Sequence, residues 1–185
     1  MALLLTKTFL IAALTSLGIV GACAGKSKPL DRFAETQGQV IQSKKAYIDA
    51  DFDFSASMYE PTSVDLERLR AAWVEHGAAF PESRAFAEIE KEVMKSGQRI
   101  VLVSLFRTDY ENADLTSKAG GWSAGPVPRS IKELQYDDVV LRTLMPVSNP
   151  WARFFMLIYS PEQLNAASEL IVSNRTSSVK FNRGQ

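Results

Sequence analysis

Ala46-Tyr47-Ile48-Asp49-Ala50-Asp51-Phe52-Asp53-Phe54-Ser55-Ala56-Ser57-Met58 carries the clearest periodicity in this chain. Ala46, Ile48, Ala50, Phe52, Phe54, Ala56 and Met58 are apolar, and the positions between them hold tyrosine, aspartate or serine. Successive side chains of a β-strand point to opposite faces, so this alternation predicts one long strand with a buried face and a wet face. Phe52 and Phe54 are then expected in a core, and Asp51 and Asp53 in water.

The same stretch raises a metal question. Asp49, Asp51, Asp53, Ser55, Ser57 and Glu60 reproduce the ligand spacing of a calcium-binding EF-hand loop. The position that must bend sharply is normally glycine and here is Phe54. In a strand, moreover, these side chains stand in a row and do not converge on an ion. A solvated acidic strand face is the better reading, with Asp49, Asp51, Asp53 and Glu60 as the calcium candidates the spacing leaves.

Beyond it, Pro61 breaks the strand, and Thr62-Ser63-Val64-Asp65 has the form of a capping box opening a helix. Leu66, Leu69 and Trp73 share one face of that helix, and Gly77 ends it. After Pro81, Phe86, Ile89 and Val93 line a second helix that stops at Gly97, giving a two-helix hairpin inserted between strands. His76, the one histidine in the chain, sits in the last turn of the first helix, where a cation suits the negative helix end. No serine or cysteine partner is marked for it by a local motif, so a catalytic role is not the expectation.

From residue 99 the texture is β. Ile100 to Phe106 is nearly continuous in apolar residues, as is Trp151 to Tyr159, and both read as strands buried on two faces. Val139 to Met145 reads as another strand, Pro161 to Ala167 as a helical turn, and Glu169 to Ser173 with Ser178 to Phe181 as a closing hairpin. Between Arg107 and Arg129 runs a polar stretch with Asp109, Glu111, Asp114 and the Gly120-Gly121-Trp122 turn. Functional residues concentrate on loops, which makes Trp122, Asp109 and Asp114 the candidate binding residues. The alternative for this stretch is a connecting loop with Trp122 folded onto the sandwich edge.

Strands without regular βα alternation predict a mainly β, α+β fold. The expected form is an antiparallel immunoglobulin-like β-sandwich with an inserted two-helix hairpin. The alternative is a mixed α+β sheet with helices on one face. No Cys-Trp-Cys framework supports an immunoglobulin family assignment.

Upstream, Lys7 supplies a basic start, Thr8 to Ile19 a short apolar run, and Val20-Gly21-Ala22-Cys23 a small-residue site ending in the one cysteine of the chain. That is the layout of a secretory signal, and the run, broken by Thr15, Ser16 and Gly18, is short for a membrane span. Val20 to Cys23 resembles the lipobox of bacterial lipoproteins. The resemblance implies that residues 1–22 are a signal peptide and that Cys23 is lipidated with palmitate-type chains as the first mature residue. Ala24 follows where an aspartate would imply retention in the inner membrane, so the resemblance implies the outer membrane, facing the periplasm. The alternative is an ordinary signal peptide cut near Ala22 or Ala24.

Residues 23–39 are mostly small, charged or polar, with Gly25, Pro29 and Gly38, and read as a flexible tether. Residues 40–185 read as a single β-rich domain. The mature chain of 163 residues holds enough material for one stable core. It carries 20 basic and 21 acidic side chains, because Lys7 alone is lost with the signal. A near-neutral balance argues against nucleic acid as a partner.

Three function classes follow. The first is a non-catalytic envelope lipoprotein that binds a protein partner or plays a structural part. The second binds a small ligand or metal through the acidic strand face or the Trp122 loop. The third is a carboxylate-based hydrolase. The chain shows no phosphate loop, serine elbow or histidine pair, so no catalytic residue, metal ligand or cofactor is assigned.

Overall fold

Two left-handed residues divide the long strand expected over residues 46–58. In the computed structural model, which describes residues 28–117, 121–135 and 138–183, strand β1 (Gln42–Ile48) turns at Asp49 and Ala50 into strand β2 (Asp51–Tyr59). Asp49 has φ 48° and Ala50 φ 75°. Consecutive left-handed residues are what a two-residue hairpin turn requires, because its twist then matches that of the strands. Asp tolerates this conformation; Ala strains in it, which is why no Asn-Gly or Asp-Gly signal marked the turn. Cys23 and the residues read as signal and lipobox lie outside the described residues, as does Gly120.

A second irregularity follows. Ala46 pairs with Phe54 and Tyr47 with Phe52, leaving Asp53 as the extra residue of a β-bulge. Asp53 therefore turns inward with Phe54 and is 6% exposed, whereas Phe52 is 37% exposed. The expectation of a buried Phe52 and a wet Asp53 is thus reversed, while buried Phe54 and exposed Asp51 agree with it.

The chain continues through α2 (Ser63–Glu75), α3 (Arg84–Val93), β3 (Arg99–Arg107), β4 (Ser123–Gly125), β5 (Ser130–Leu134), α4 (Val139–Leu144), β6 (Arg153–Tyr159), α5 (Pro161–Asn165), β7 (Glu169–Ser173) and β8 (Ser178–Asn182). One antiparallel sheet has the order β1-β2-β3-β6-β5 and a second the order β4-β7-β8. At one corner β4 leads almost directly into β5. At the other β8 lies along β1, where Gln42 Nε2 donates to the Asn182 carbonyl at 2.5 Å.

Two cores result. Phe54, Val101, Val103, Phe155, Leu157 and Tyr159 of the large sheet pack against Leu170, Val172, Val179 and Phe181 of the small one. On the opposite face Ile100, Leu102, Phe154, Met156 and Ile158 pack against the helices. Strands β3 and β6 are covered on both faces, so alternate and intervening residues alike must be apolar. Fully burying each large apolar side chain contributes about 1.5–3 kcal/mol. The fold is therefore α+β, with two packed antiparallel sheets and the α2–α3 hairpin inserted between β2 and β3 as expected.

Two segments depart from the sequence reading. Helix α1 (Pro29–Val40) occupies most of the segment expected as a tether. Pro29 opens it, Leu30 and Phe33 pack on the helical core, and Arg32 bonds Glu75 of α2 at 2.8 Å. Residues 139–144, read as a strand from Val139-Val140, form α4. Asp138 caps it, its carboxylate accepting from the Val140 and Leu141 amides at 3.0 Å each. Val140, Leu141 and Leu144 then fall on one buried helical face.

Candidate functional site

Asp53 is the most elaborately held side chain of the calcium candidates. Its carboxylate accepts from Ser177 Oγ at 2.6 Å and Asn174 Nδ2 at 2.7 Å, both in the turn between β7 and β8, and faces the Arg107 guanidinium at 3.2 Å. Burial pushes its pKa up, but the bonds from Ser177 and Asn174 and the charge of Arg107 outweigh that and hold it below the usual carboxylate range. The Asn174 side-chain oxygen in turn accepts from the Thr176 and Ser177 amides at 2.9 and 2.8 Å, fixing the turn. Asp53 thus clamps strand β2 of one sheet to the β7–β8 hairpin of the other.

The remaining calcium candidates lie apart from it in role. Asp49 sits in the β1–β2 turn and Asp51 opens β2, both exposed. Glu60, at the far end of β2, is taken by two arginines: Arg183 Nε at 2.6 Å and Arg99 at 2.8 Å. Among the described residues, no group of three or more His, Cys, Asp and Glu is placed to hold a metal ion.

The loop candidates are also spoken for. Trp122 is 6% exposed, meets the Phe54 ring edge-to-face at 4.9 Å, and donates its indole N–H to the Asn112 carbonyl. It belongs to the inter-sheet core. Asp114 accepts from the Thr116 hydroxyl at 2.6 Å and its amide at 2.8 Å, and lies 3.4 Å from Arg153. Burial raises its pKa, and these partners more than offset the rise. Asp109 accepts from the Asn112 side-chain amide. His76 ends α2, exposed.

Two features escaped the sequence reading. One is Glu92, 3% exposed near the end of α3. It accepts from Lys95 Nζ at 2.7 Å, Gln98 Nε2 at 2.6 Å and Lys132 Nζ at 2.9 Å, which bring its pKa down to about 2. The sequence signal was a glutamate on the apolar stripe of α3, three residues from Ile89. The other is an exposed aromatic row on the helix side of the sheet at the hairpin tip. The Tyr47 and Phe52 rings stand 6.2 Å apart, and Phe52 and Phe106 6.1 Å apart. Tyr47 is 54% exposed, and Ile48 beside it 37%.

Chemically, Asp53, Glu60 and Glu92 spend their lone pairs on donors from other segments of the chain, which suits them to hold elements together. Comparison with known protein families, curated proteins and solved structures finds no match for this chain. No helix of the described residues is long and apolar enough to cross a membrane.

Proposed function

We propose that the chain is a lipid-anchored envelope lipoprotein of the bacterial outer membrane that binds a protein partner or acts structurally in the periplasm, without catalysis. The observation that carries this is Val20-Gly21-Ala22-Cys23 after an apolar run with a basic start. The clamped state of Asp53, Glu60 and Glu92 supports a structural use of these acids. The immunoglobulin-like likeness belongs with this proposal. It rests on two packed antiparallel sheets, and the β1-β2-β3 meander under a layer of helices gives the body a strand order of its own.

Mass spectrometry of the protein from its native envelope tests the anchor. Several acyl chains give stable attachment where one gives marginal binding. The wild type is expected in the outer-membrane fraction with Cys23 acylated as its first residue. Cys23→Ala is expected as an uncleaved precursor or a soluble periplasmic protein, with unchanged circular dichroism because the packed elements begin at Pro29. Unmodified wild-type protein in the soluble fraction defeats the proposal.

A further inference from the structure

We infer that the aromatic tip of the β1–β2 hairpin rests in the headgroup layer of the membrane that holds the anchor, with Tyr47, Ile48 and Phe52 against lipid. The inference rests on the lipid-anchor reading of Cys23 and adds the orientation of the body.

The path of the chain supplies the first argument. Arg32, in the first turn of α1, bonds Glu75 at the C-terminus of α2. Helix α2 leaves β2 beyond Tyr59, at the sheet end opposite the hairpin tip, and runs back toward the tip. The next helix confirms that direction. Its cap Ser83 bonds Asp138 at 2.5 Å, and Asp138 stands shortly after Leu134, which pairs with Phe154 near the tip end of the sheet. The N-terminus of α1 is therefore at the tip end.

Lengths agree with this. Twelve residues carry α1 about 18 Å away from that end. Ile41 alone joins it to β1, whose seven residues return about 23 Å. The tip thus stands level with the start of α1 or slightly beyond it. Four residues lie between Cys23 and Lys28, and the five steps from one to the other reach at most about 18 Å. An acylated Cys23 would hold this end of the molecule within that distance of the bilayer.

The chemistry of the tip supplies the second argument. Tyr47, Phe52 and Phe106 form a continuous aromatic row, and Trp151, 70% exposed, precedes β6 at the same sheet end. Tyrosine and tryptophan prefer the membrane–water interface, where an apolar ring and a polar edge are both served, and phenylalanine adds apolar surface beside them. Asp49 and Asp51 flank the row and disfavour anionic headgroups, so the surface that fits is zwitterionic. The Glu60 and Arg183 end of the body then points away from the membrane.

The test uses the full chain, purified from membranes and reconstituted into phosphatidylcholine vesicles containing doxyl-labelled lipid. A polarity-sensitive fluorophore is placed on Ile48→Cys, or on Ser96→Cys in the turn between α3 and β3 at the other end. Mass spectrometry of the same samples reports on Cys23. The Ile48 label is expected to emit to the blue and be quenched, the Ser96 label to do neither. Adding Tyr47→Ser and Phe52→Ser to the Ile48→Cys chain is expected to abolish the quenching and leave circular dichroism unchanged. An acylated chain whose two labels both stay in water overturns this inference alone; a chain without acyl groups overturns the anchor reading as well. A tip label shielded in native envelopes but wet on pure lipid overturns the inference in favour of a protein occupant.

Discussion

Ser177 donates its hydroxyl hydrogen to the Asp53 carboxylate at 2.6 Å, joining the bulge of β2 to the β7–β8 turn across 124 residues of chain. Asn174 and Arg107 reach the same carboxylate, so removing it strands three donors at once. Asp53→Ala is expected to lose about 3 kcal/mol, the range for breaking a buried charge-assisted network. Asp51→Ala, on the exposed start of β2, should stay within about 0.5 kcal/mol of wild type. Urea denaturation compares them, and equal midpoints for the two variants would show the clamp to be idle.

Phe54 and Phe52 differ in the same way on the apolar side. Phe54 is fully buried against Trp122, and Phe54→Ala should cost about 3–5 kcal/mol. Phe52 keeps 37% of its surface in water, and Phe52→Ala should cost about 1 kcal/mol. Thermal unfolding separates the pair. A larger loss at Phe52 would mean that the bulge at Asp53 does not set which ring faces the core.

The contrast between these residues also shows what could be read from the sequence. Period-2 alternation from Ala46 to Met58 correctly predicted β structure, because both strands of the hairpin keep one apolar face. It could not reveal the turn, since the two-residue turn shifts the parity of the pattern, pairing Ile48 with Asp51, and the bulge at Asp53 shifts it back, pairing Ala46 with Phe54. Nor could it reveal the bulge, which depends on Asp53 finding Ser177 and Asn174 across the fold. The doubly buried β3 and β6 and the capped α2 were legible because their signals are local: continuous apolar runs and a Thr62–Asp65 box. Helix α4 was misread because Val139-Val140 has β-propensity, and the cap at Asp138, with its tie to Ser83, decides the matter. Helix α1 was read as tether because its apolar residues are few, and Leu30 and Phe33 suffice only when α2 is beside them. Of the candidate site residues, Trp122 lies in the core and the acids are mostly clamps, relations set by distant partners and invisible to spacing.

Ala50 offers a stabilising change. Its φ of 75° lies in the left-handed region, and its side chain is exposed, so a glycine there relieves strain without losing a contact. Ala50→Gly should add about 1 kcal/mol, the difference between strained alanine and permissive glycine less the entropy of the freer unfolded chain. A fall in melting temperature would mean that the turn holds Ala50 without strain.

Glu92 sets a pH dependence whose sign can be worked out. Bonds from Lys95, Gln98 and Lys132 hold its folded pKa at about 2, against 4.5 for the free side chain. Above 4.5 the carboxylate is ionised in both states, and its contribution to stability is fully present. Between 4.5 and about 2 the unfolded chain takes up a proton that the folded chain refuses, so stability drains away as pH falls through that window. Asp53 and Asp114, also lowered, act in the same direction, so the wild-type slope alone does not isolate Glu92. Glu92→Gln does: it removes one titrating group and leaves the others. The variant should be less stable than wild type at neutral pH, because Lys95 and Lys132 lose their acceptor charge. The gap should then narrow steadily as acid is added. Urea midpoints measured down through the window check this, and two curves that stay parallel to its lower edge would show that Glu92 is not held ionised by its three partners.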